Sequence, residues 1–440
     1  MKTLLCSLLT LSLAWTAPAA VTRNDDSCDI AELPAATLLL PYFEVDLDDP
    51  DGSTTLFTIT NVTNRDQIAR VTLWTDRSYP VIDFNIYLTG YDVQSINLYD
   101  VIGRGIIAPE NGTGTALTQR GPYSDLNTTV QLGSCDRLPG VLDTHYVDRM
   151  QEAFTEGRVA EFPTLPPIPA CNAVGNVHAN AIGYVTVDVA RLCGVALPTD
   201  AVYWTQEIGY ANALTGDYQH VQRGARFADG GPMVHIRAVP EGGLTPPIFP
   251  RTFYSRFQAP ATPKLDARQP LPSVFAARWI EGGATGYHTF LKVWREGRTG
   301  PTSQCQAYAL NGELDLQEAV VFDEAENATS DRDVVCIPEN PNCGRRILPS
   351  SSMTSVKDAS AYPQSPNGAV AGWLYLNLDQ PYDAFPAQAW VIASMRAEGQ
   401  FSVDMDVAAL GNGCSAPIGE SEIGTGTATI GPLPNVRTQQ

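Results

Sequence analysis

The strongest constraint on the fold is that the chain runs twice through one succession of strand-like segments. Thr37-Leu38-Leu39-Leu40-Pro41-Tyr42-Phe43 leads through Ser53-Thr54-Thr55-Leu56-Phe57 to Val71-Thr72-Leu73-Trp74-Thr75-Asp76-Arg77. The same order recurs as Thr252-Phe253-Tyr254-Ser255-Arg256-Phe257, then Pro272-Ser273-Val274-Phe275, then Phe290-Leu291-Lys292-Val293-Trp294-Arg295-Glu296. Leu88-Thr89-Gly90 is echoed by Leu310-Asn311-Gly312, Gly183 to Asp188 by Gly372 to Asn377, and Asp217-Tyr218 by Asp404-Met405. Matched residues keep a near-constant separation as far as Gly90 and Gly312, then come closer by about thirty residues. One connection in the first copy is therefore expected to be longer than its counterpart.

Within each copy the residues alternate as half-buried strands do. Ile82, Phe84, Ile86 and Leu88 interleave with Asp83, Asn85 and Tyr87, and Thr54, Leu56 and Thr58 with Thr55, Phe57 and Ile59. Such alternation, rich in β-branched and aromatic residues and broken by Asp51-Gly52, Thr89-Gly90 and Gly282-Gly283, describes short antiparallel strands with one apolar face. Asp229-Gly230-Gly231 reads as another turn, centring a hairpin near residue 230. Helical spacing stands out only from Asp143 to Ala160, inside the longer connection. The expectation is an all-β protein of two tandem, internally duplicated β-sandwich domains, immunoglobulin-like or jelly-roll, with a short helical insertion near 143–160 in the first. The domains are expected over residues 21–240 and 251–414, joined by a Pro/Gly linker at 241–250 and followed by a flexible tail, 415–440.

Residues 1–20 carry the marks of a cleaved signal peptide. Lys2 precedes an apolar run from Leu4 to Trp15, too short to span a bilayer, and Ala17-Pro18-Ala19-Ala20 supplies small residues for cleavage. A secreted or periplasmic location follows as an expectation. Beyond Cys6 there are eight cysteines, an even number that suits disulfides in an oxidising compartment. The preferred pairing joins Cys171 to Cys193 and Cys336 to Cys343, leaving Cys28 for Cys135 and Cys305 for Cys414. With 48 acidic against 28 basic residues, the formal charge of −20 opposes nucleic acid or anionic lipid as a partner. A protein or glycan partner is compatible with it.

No motif announces a chemistry. His145, His178, His220, His235 and His288 form no His-x-His or His-Glu-x-x-His pattern, and the chain has no Gly-x-Ser-x-Gly, phosphate loop or dinucleotide fingerprint. No cofactor is implied. The sharpest local constellation is Glu44-Val45-Asp46-Leu47-Asp48-Asp49-Pro50-Asp51-Gly52-Ser53, where Glu44, Asp46, Asp48 and Asp51 are candidate Ca²⁺ ligands, although Pro50 and Phe57 break the EF-hand register. Its alternative is an acidic hairpin loop. Glu281 after Trp279 and Glu296 after Trp294 place acids beside aromatics, as a glycosidase would need. Trp294 matches Trp74 in the repeated framework and reads as core; Glu281 is expected to be solvated in a Gly-rich turn. Asn61, Asn111, Asn127 and Asn327 head Asn-x-Thr glycosylation patterns.

Two functions fit these residues. The first is an exported, non-enzymatic protein with a binding role or a structural role in the cell envelope or an extracellular assembly, since sandwiches present loops and faces for recognition without ionisable groups at fixed spacing. The second is a secreted hydrolase acting on polysaccharide, which requires two carboxylates about 5 to 9.5 Å apart in a cleft.

Overall fold

A computed structural model describes residues 30–107, 141–161, 170–194, 196–198, 200–224, 227–238, 252–257, 266–282, 286–296, 314–315, 318–330, 347–348, 351–356, 362–378, 388–397 and 401–410. The expected signal segment, linker and tail lie outside these residues, as do Cys28, Cys135, Cys305, Cys336, Cys343, Cys414, Asn111 and Asn127.

The protein is mostly β, with several antiparallel sheets and few helices. Along the first half run β1 (Thr37–Val45), β2 (Ser53–Asn61), β3 (Gln67–Thr75), β4 (Pro80–Leu88), β5 (Val93–Asn97), α1 (Thr144–Thr155), β6 (Arg158–Val159), β7 (Cys171–Asn172), β8 (Ala181–Ala190), β9 (Leu214–Gln222), β10 (Phe227–Pro232) and β11 (Val234–Ile236). The second half holds β12 (Val274–Ile280), β13 (Tyr287–Arg295), β14 (Leu314–Asp315), β15 (Glu318–Asp323), β16 (Ala328–Ser330), β17 (Ile347–Leu348), β18 (Ser351–Ser355), β19 (Ala371–Asn377), β20 (Ala389–Ala397), β21 (Phe401–Asp406) and β22 (Ala408–Ala409). Among the described residues these strands form four larger sheets, with strand orders β11-β1-β8-β3-β4, β10-β9-β2-β5, β16-β15-β19-β12-β22 and β18-β13-β20-β21. Two-residue ladders join β14 to β17 and β6 to β7.

Burial follows from the strand sequences. The alternating β2 puts Phe57 and Ile59 into one apolar cluster with Leu38, Leu40, Val71, Leu73, Val185 and Val187 of the facing sheet. In the second half Phe275, Trp279, Leu374 and Leu376 meet Leu291, Val293, Val391 and Ala393 in the same way. Strand β1 is different: its unbroken Leu-Leu-Leu-Pro-Tyr-Phe run is buried on both faces, as such runs usually are. Leu39, with Trp74, Tyr184 and Ile236, enters a third cluster completed by Phe253, Tyr254, Phe257, Leu271 and Trp294. Residues 252–257 and 266–271, beyond the expected linker, thus pack onto the first half.

The expected helix is present as α1. Asp143 starts it by accepting a hydrogen bond from the His145 backbone N–H at 2.9 Å, and its apolar face buries Met150, Ala153 and Phe154, with Phe154 edge-on to Phe43 at 5.3 Å. The helix therefore completes the apolar core.

Three local expectations change. Asp229-Gly230-Gly231 is strand, not turn: β10 pairs with β9 so that Asp229 stands opposite His220, and the chain reverses instead near Arg223-Gly224. Gly230 is required because a Cβ there would lie 2.1 Å from the Tyr218 carbonyl oxygen. The Gly183 and Gly372 echo has the same cause, since added Cβ atoms would meet the Trp74 oxygen at 2.1 Å and the Phe322 oxygen at 1.8 Å. These two strands hold different places: β8 borders β3, whereas β19 borders β12. Finally, Cys171 and Cys193 are buried in separate clusters, one against Tyr79 and Val81 and the other against Tyr87. From Val81 to Tyr87 along β4 is about 20 Å, so a direct bridge, which needs Cα atoms within about 7 Å, does not join them.

Candidate functional site

The histidines and acids singled out above fall into separate settings. In the Glu44 to Ser53 loop the carboxylates build the turn rather than converge. The Asp46 Oδ1 accepts the backbone N–H groups of Asp48 and Asp49 at 3.0 and 3.1 Å, and Asp51 pairs with Arg223 at 2.6 Å in the open. Glu44 is engaged elsewhere, accepting from the Tyr42 hydroxyl at 3.0 Å and from Asn180 Nδ2 at 2.5 Å. Glu44, Asp46, Asp48 and Asp51 do not form a group of ligand atoms within reach of one ion.

The acid–aromatic pairs also separate. Trp279 and Trp294 are core residues, as expected of Trp294. Glu281 is buried rather than solvated, because Thr289 donates its backbone N–H to it at 3.0 Å and His288 Nδ1 lies at 3.0 Å. Glu296, also buried, holds the backbone and side chain of Gln388. Thr289 and Glu296 stand seven residues apart along β13 and its end, about 23 Å, which is too far for a glycosidase pair. Asn61 is fully buried and donates to the Arg65 and Thr89 carbonyls, so the folded chain hides that glycosylation pattern.

Buried cations and carboxylates converge at several points of the described structure. Three times among the described residues, one cation stands between two carboxylates. Arg70 on β3 binds Asp83 at 2.8 Å and Glu207 at 2.7 Å. Arg268 faces Asp266 at 3.3 Å and Asp188 at 3.7 Å. Lys292 on β13 binds Asp229 Oδ1 at 3.0 Å and Asp404 Oδ2 at 2.6 Å.

The third group is the candidate site, and it joins the halves of the molecule. Antiparallel register places His220 on β9 opposite Asp229 on β10, while Asp404 projects from β21. One ligand atom from each of these three residues lies within 4.8 Å of the other two, the one such grouping among the described residues. Around them, Ser394 donates to Asp229 Oδ2 at 2.7 Å, and Tyr218 donates to Asp404 Oδ2 at 3.0 Å. Arg396 approaches Asp229 Oδ2 at 3.5 Å. The His220 Nδ1 faces Thr55 Oγ1 at 2.9 Å, but His220 Nε2 and Asp404 Oδ1 are buried with no hydrogen-bond partner.

Burial sets the electrostatics. It pushes the His220 imidazole well below its usual range, with Lys292 and Arg396 acting in the same direction, so the ring is held neutral. Burial also raises the Asp404 carboxyl, against the pull of Lys292 and with the push of Asp229. An isolated hydrophobic pocket would not tolerate these carboxylates; the ammonium between them makes the arrangement stable. Sequence reading missed the site because the mistaken turn at Asp229 removed it from His220. A signal was present in Lys292, one of four lysines, set between Leu291 and Val293 in a strand.

No protein-family model matches the chain, and neither a curated protein nor a solved structure shows similarity to it.

Proposed function

We propose that the chain is an exported, non-enzymatic protein that binds a partner or contributes to an envelope or extracellular structure. The observation that carries this reading is the threefold use of one buried cation to clasp two carboxylates. A glycosidase needs one protonated and one ionised carboxyl group facing a sugar across open space. An ammonium or guanidinium held between the pair forms an ion pair with each and occupies the place of the substrate. The acids that converge therefore serve cohesion.

The finer architecture belongs to the same reading: two β-sandwiches, related by duplication, with export-dependent disulfides. In chain order β2, β3, β4, β5, β8 and β9 have the pairings β2 with β5 and β9, and β3 with β4 and β8. The strands β12, β13, β18, β19, β20 and β22 repeat this arrangement, β12 with β19 and β22, and β13 with β18 and β20. In this register β8 corresponds to β20, which replaces the Gly183 to Gly372 match. The separate clusters of Cys171 and Cys193 favour bridges from each to a cysteine elsewhere in the chain.

The test is reducing-sugar release from a panel of neutral and acidic polysaccharides by the secreted chain. The expected result is none above buffer. Release that disappears in Asp229→Asn or Asp404→Asn would replace this reading with the hydrolase.

A further inference from the structure

We infer that His220, Asp229 and Asp404 form a binding site for a divalent cation of the zinc type, which clamps the two halves of the molecule together. Three atoms within 4.8 Å of one another all lie within about 2.8 Å of a common point, so side-chain shifts of roughly 0.7 Å bring them to Zn–N and Zn–O distances. One imidazole nitrogen with two carboxylate oxygens suits a borderline ion better than Ca²⁺ or Mg²⁺, which prefer oxygen alone.

The independent observation is the pair of unsatisfied atoms. Buried polar groups almost always have partners, and an orphan is costly. Yet the Nε2 of His220, a residue only 6% exposed, has none, and neither has Asp404 Oδ1. Both belong to the three-residue group, and both have the lone pairs that a metal takes when the ring is neutral.

Lys292 does not fill this role. Its ammonium takes Asp229 Oδ1 and Asp404 Oδ2, leaving Asp404 Oδ1, and Ser394 supports the other Asp229 oxygen. Hydrogen-bond donors behind ligating carboxylates are the usual outer layer of a metal site. The Thr55 hydroxyl at His220 Nδ1 orients the ring in the same sense, as a fixed partner on the far nitrogen does for metal-bound histidine. Charge complements the ion. Asp229, Asp404 and Glu44, which is held near His220 by Tyr42, outnumber Lys292 and Arg396 by one negative charge. A cation bound here would tie β9 and β10 to β21.

The experiment is calorimetric titration of the full mature chain with Zn²⁺, paired with thermal melts. The expected result is one Zn²⁺ per chain, a raised Tm, and no comparable effect of Ca²⁺. His220→Gln, which leaves the Lys292 ion pairs in place, should weaken binding at least about tenfold, whereas His178→Gln, at a separate hydrogen bond with Asp76, should not. In Lys292→Met, where the carboxylates lose their ammonium, Zn²⁺ should return Tm toward the wild-type value. Absence of binding, binding indifferent to His220→Gln, or no recovery of Lys292→Met would each overturn the site. The turnover assay and this titration are separable: a chain that releases sugar without Zn²⁺ removes only the non-enzymatic reading, and one that does neither removes only the metal site.

Discussion

Two buried ionic groups, built from the same kinds of residue, end in opposite states of completion. Around Arg268 every charged atom is spoken for. Asp188 receives the hydroxyls of Thr37, Tyr203 and Tyr254 at 2.5, 2.8 and 2.8 Å, Asp266 receives the Tyr254 and Arg268 backbone N–H groups at 3.1 Å, and Arg268 also donates to Thr37 and to the Gly209 carbonyl. Burial and Asp188 hold the Tyr203 and Tyr254 hydroxyls well above their usual range, so both remain donors. The Lys292 group is equally buried but leaves a histidine nitrogen and a carboxylate oxygen unpaired. A saturated network specifies packing and nothing more; an unsaturated one retains coordinating capacity.

That contrast breaks most severely at Arg268. Arg268→Ala would strand two fully buried carboxylates, Asp188 and Asp266, and is expected to lower the unfolding free energy by about 3–5 kcal/mol in urea denaturation. A loss below about 1 kcal/mol would mean that the knot is not the structural centre its hydrogen bonds describe. The position also joins residues 266–268 to β1, so the variant tests the docking of that segment.

A smaller effect separates the two groups by pH. The folded pKa of His220 is depressed, so the unfolded chain binds a proton first as pH falls. Its neutral form contributes full stability above about pH 6.5, the unfolded value, and that contribution is lost progressively below it. Unfolding free energy should decline between pH 7 and 5 by up to about 1.4 kcal/mol per pH unit from this group, and His220→Gln should flatten the slope. Asp404 acts in the opposite direction, because its raised folded pKa makes the folded chain the better proton acceptor at lower pH. An identical slope in His220→Gln would assign the pH response to other groups.

The least effect belongs to the solvated loop that resembles a cation site in sequence. Asp51 is 76% exposed at its side chain and pairs with Arg223, itself open to solvent. Asp51→Asn should change stability by less than about 0.5 kcal/mol, and the response of the chain to added Ca²⁺ should be the same with and without it. A Ca²⁺-dependent rise in Tm that Asp51→Asn removes would restore the loop as a cation site.

How much was legible follows from the range of the interactions. Alternation within β2 and β4 identifies strands because each side chain reports its own face, and Asp143 marks the start of α1 through a contact two residues away. The site was not legible for the opposite reason. Asp404 lies far along the chain from His220, and their meeting depends on how β21 is set beside β10, where Ser402 donates to the Ala228 carbonyl. Local signals also misled. Glycine at 230 reads as a turn, yet it serves close contact with a neighbouring strand, and the acids from Asp46 to Asp51 resemble a ligand set while they cap their own backbone.

By itself the sequence determined the β character, strands such as β2 and β4, the helix and their apolar faces, because hydrophobic periodicity and caps act over a few residues. The tertiary structure decided which charges became neighbours, that Glu281 is buried, that β1 is covered on both sides, and that Phe253, Tyr254, Phe257 and Leu271 pack with Leu39 and Trp74. Those outcomes depend on strand register and on sheet against sheet, and a shift of one residue turns every side chain to the other face. No local pattern carries that information.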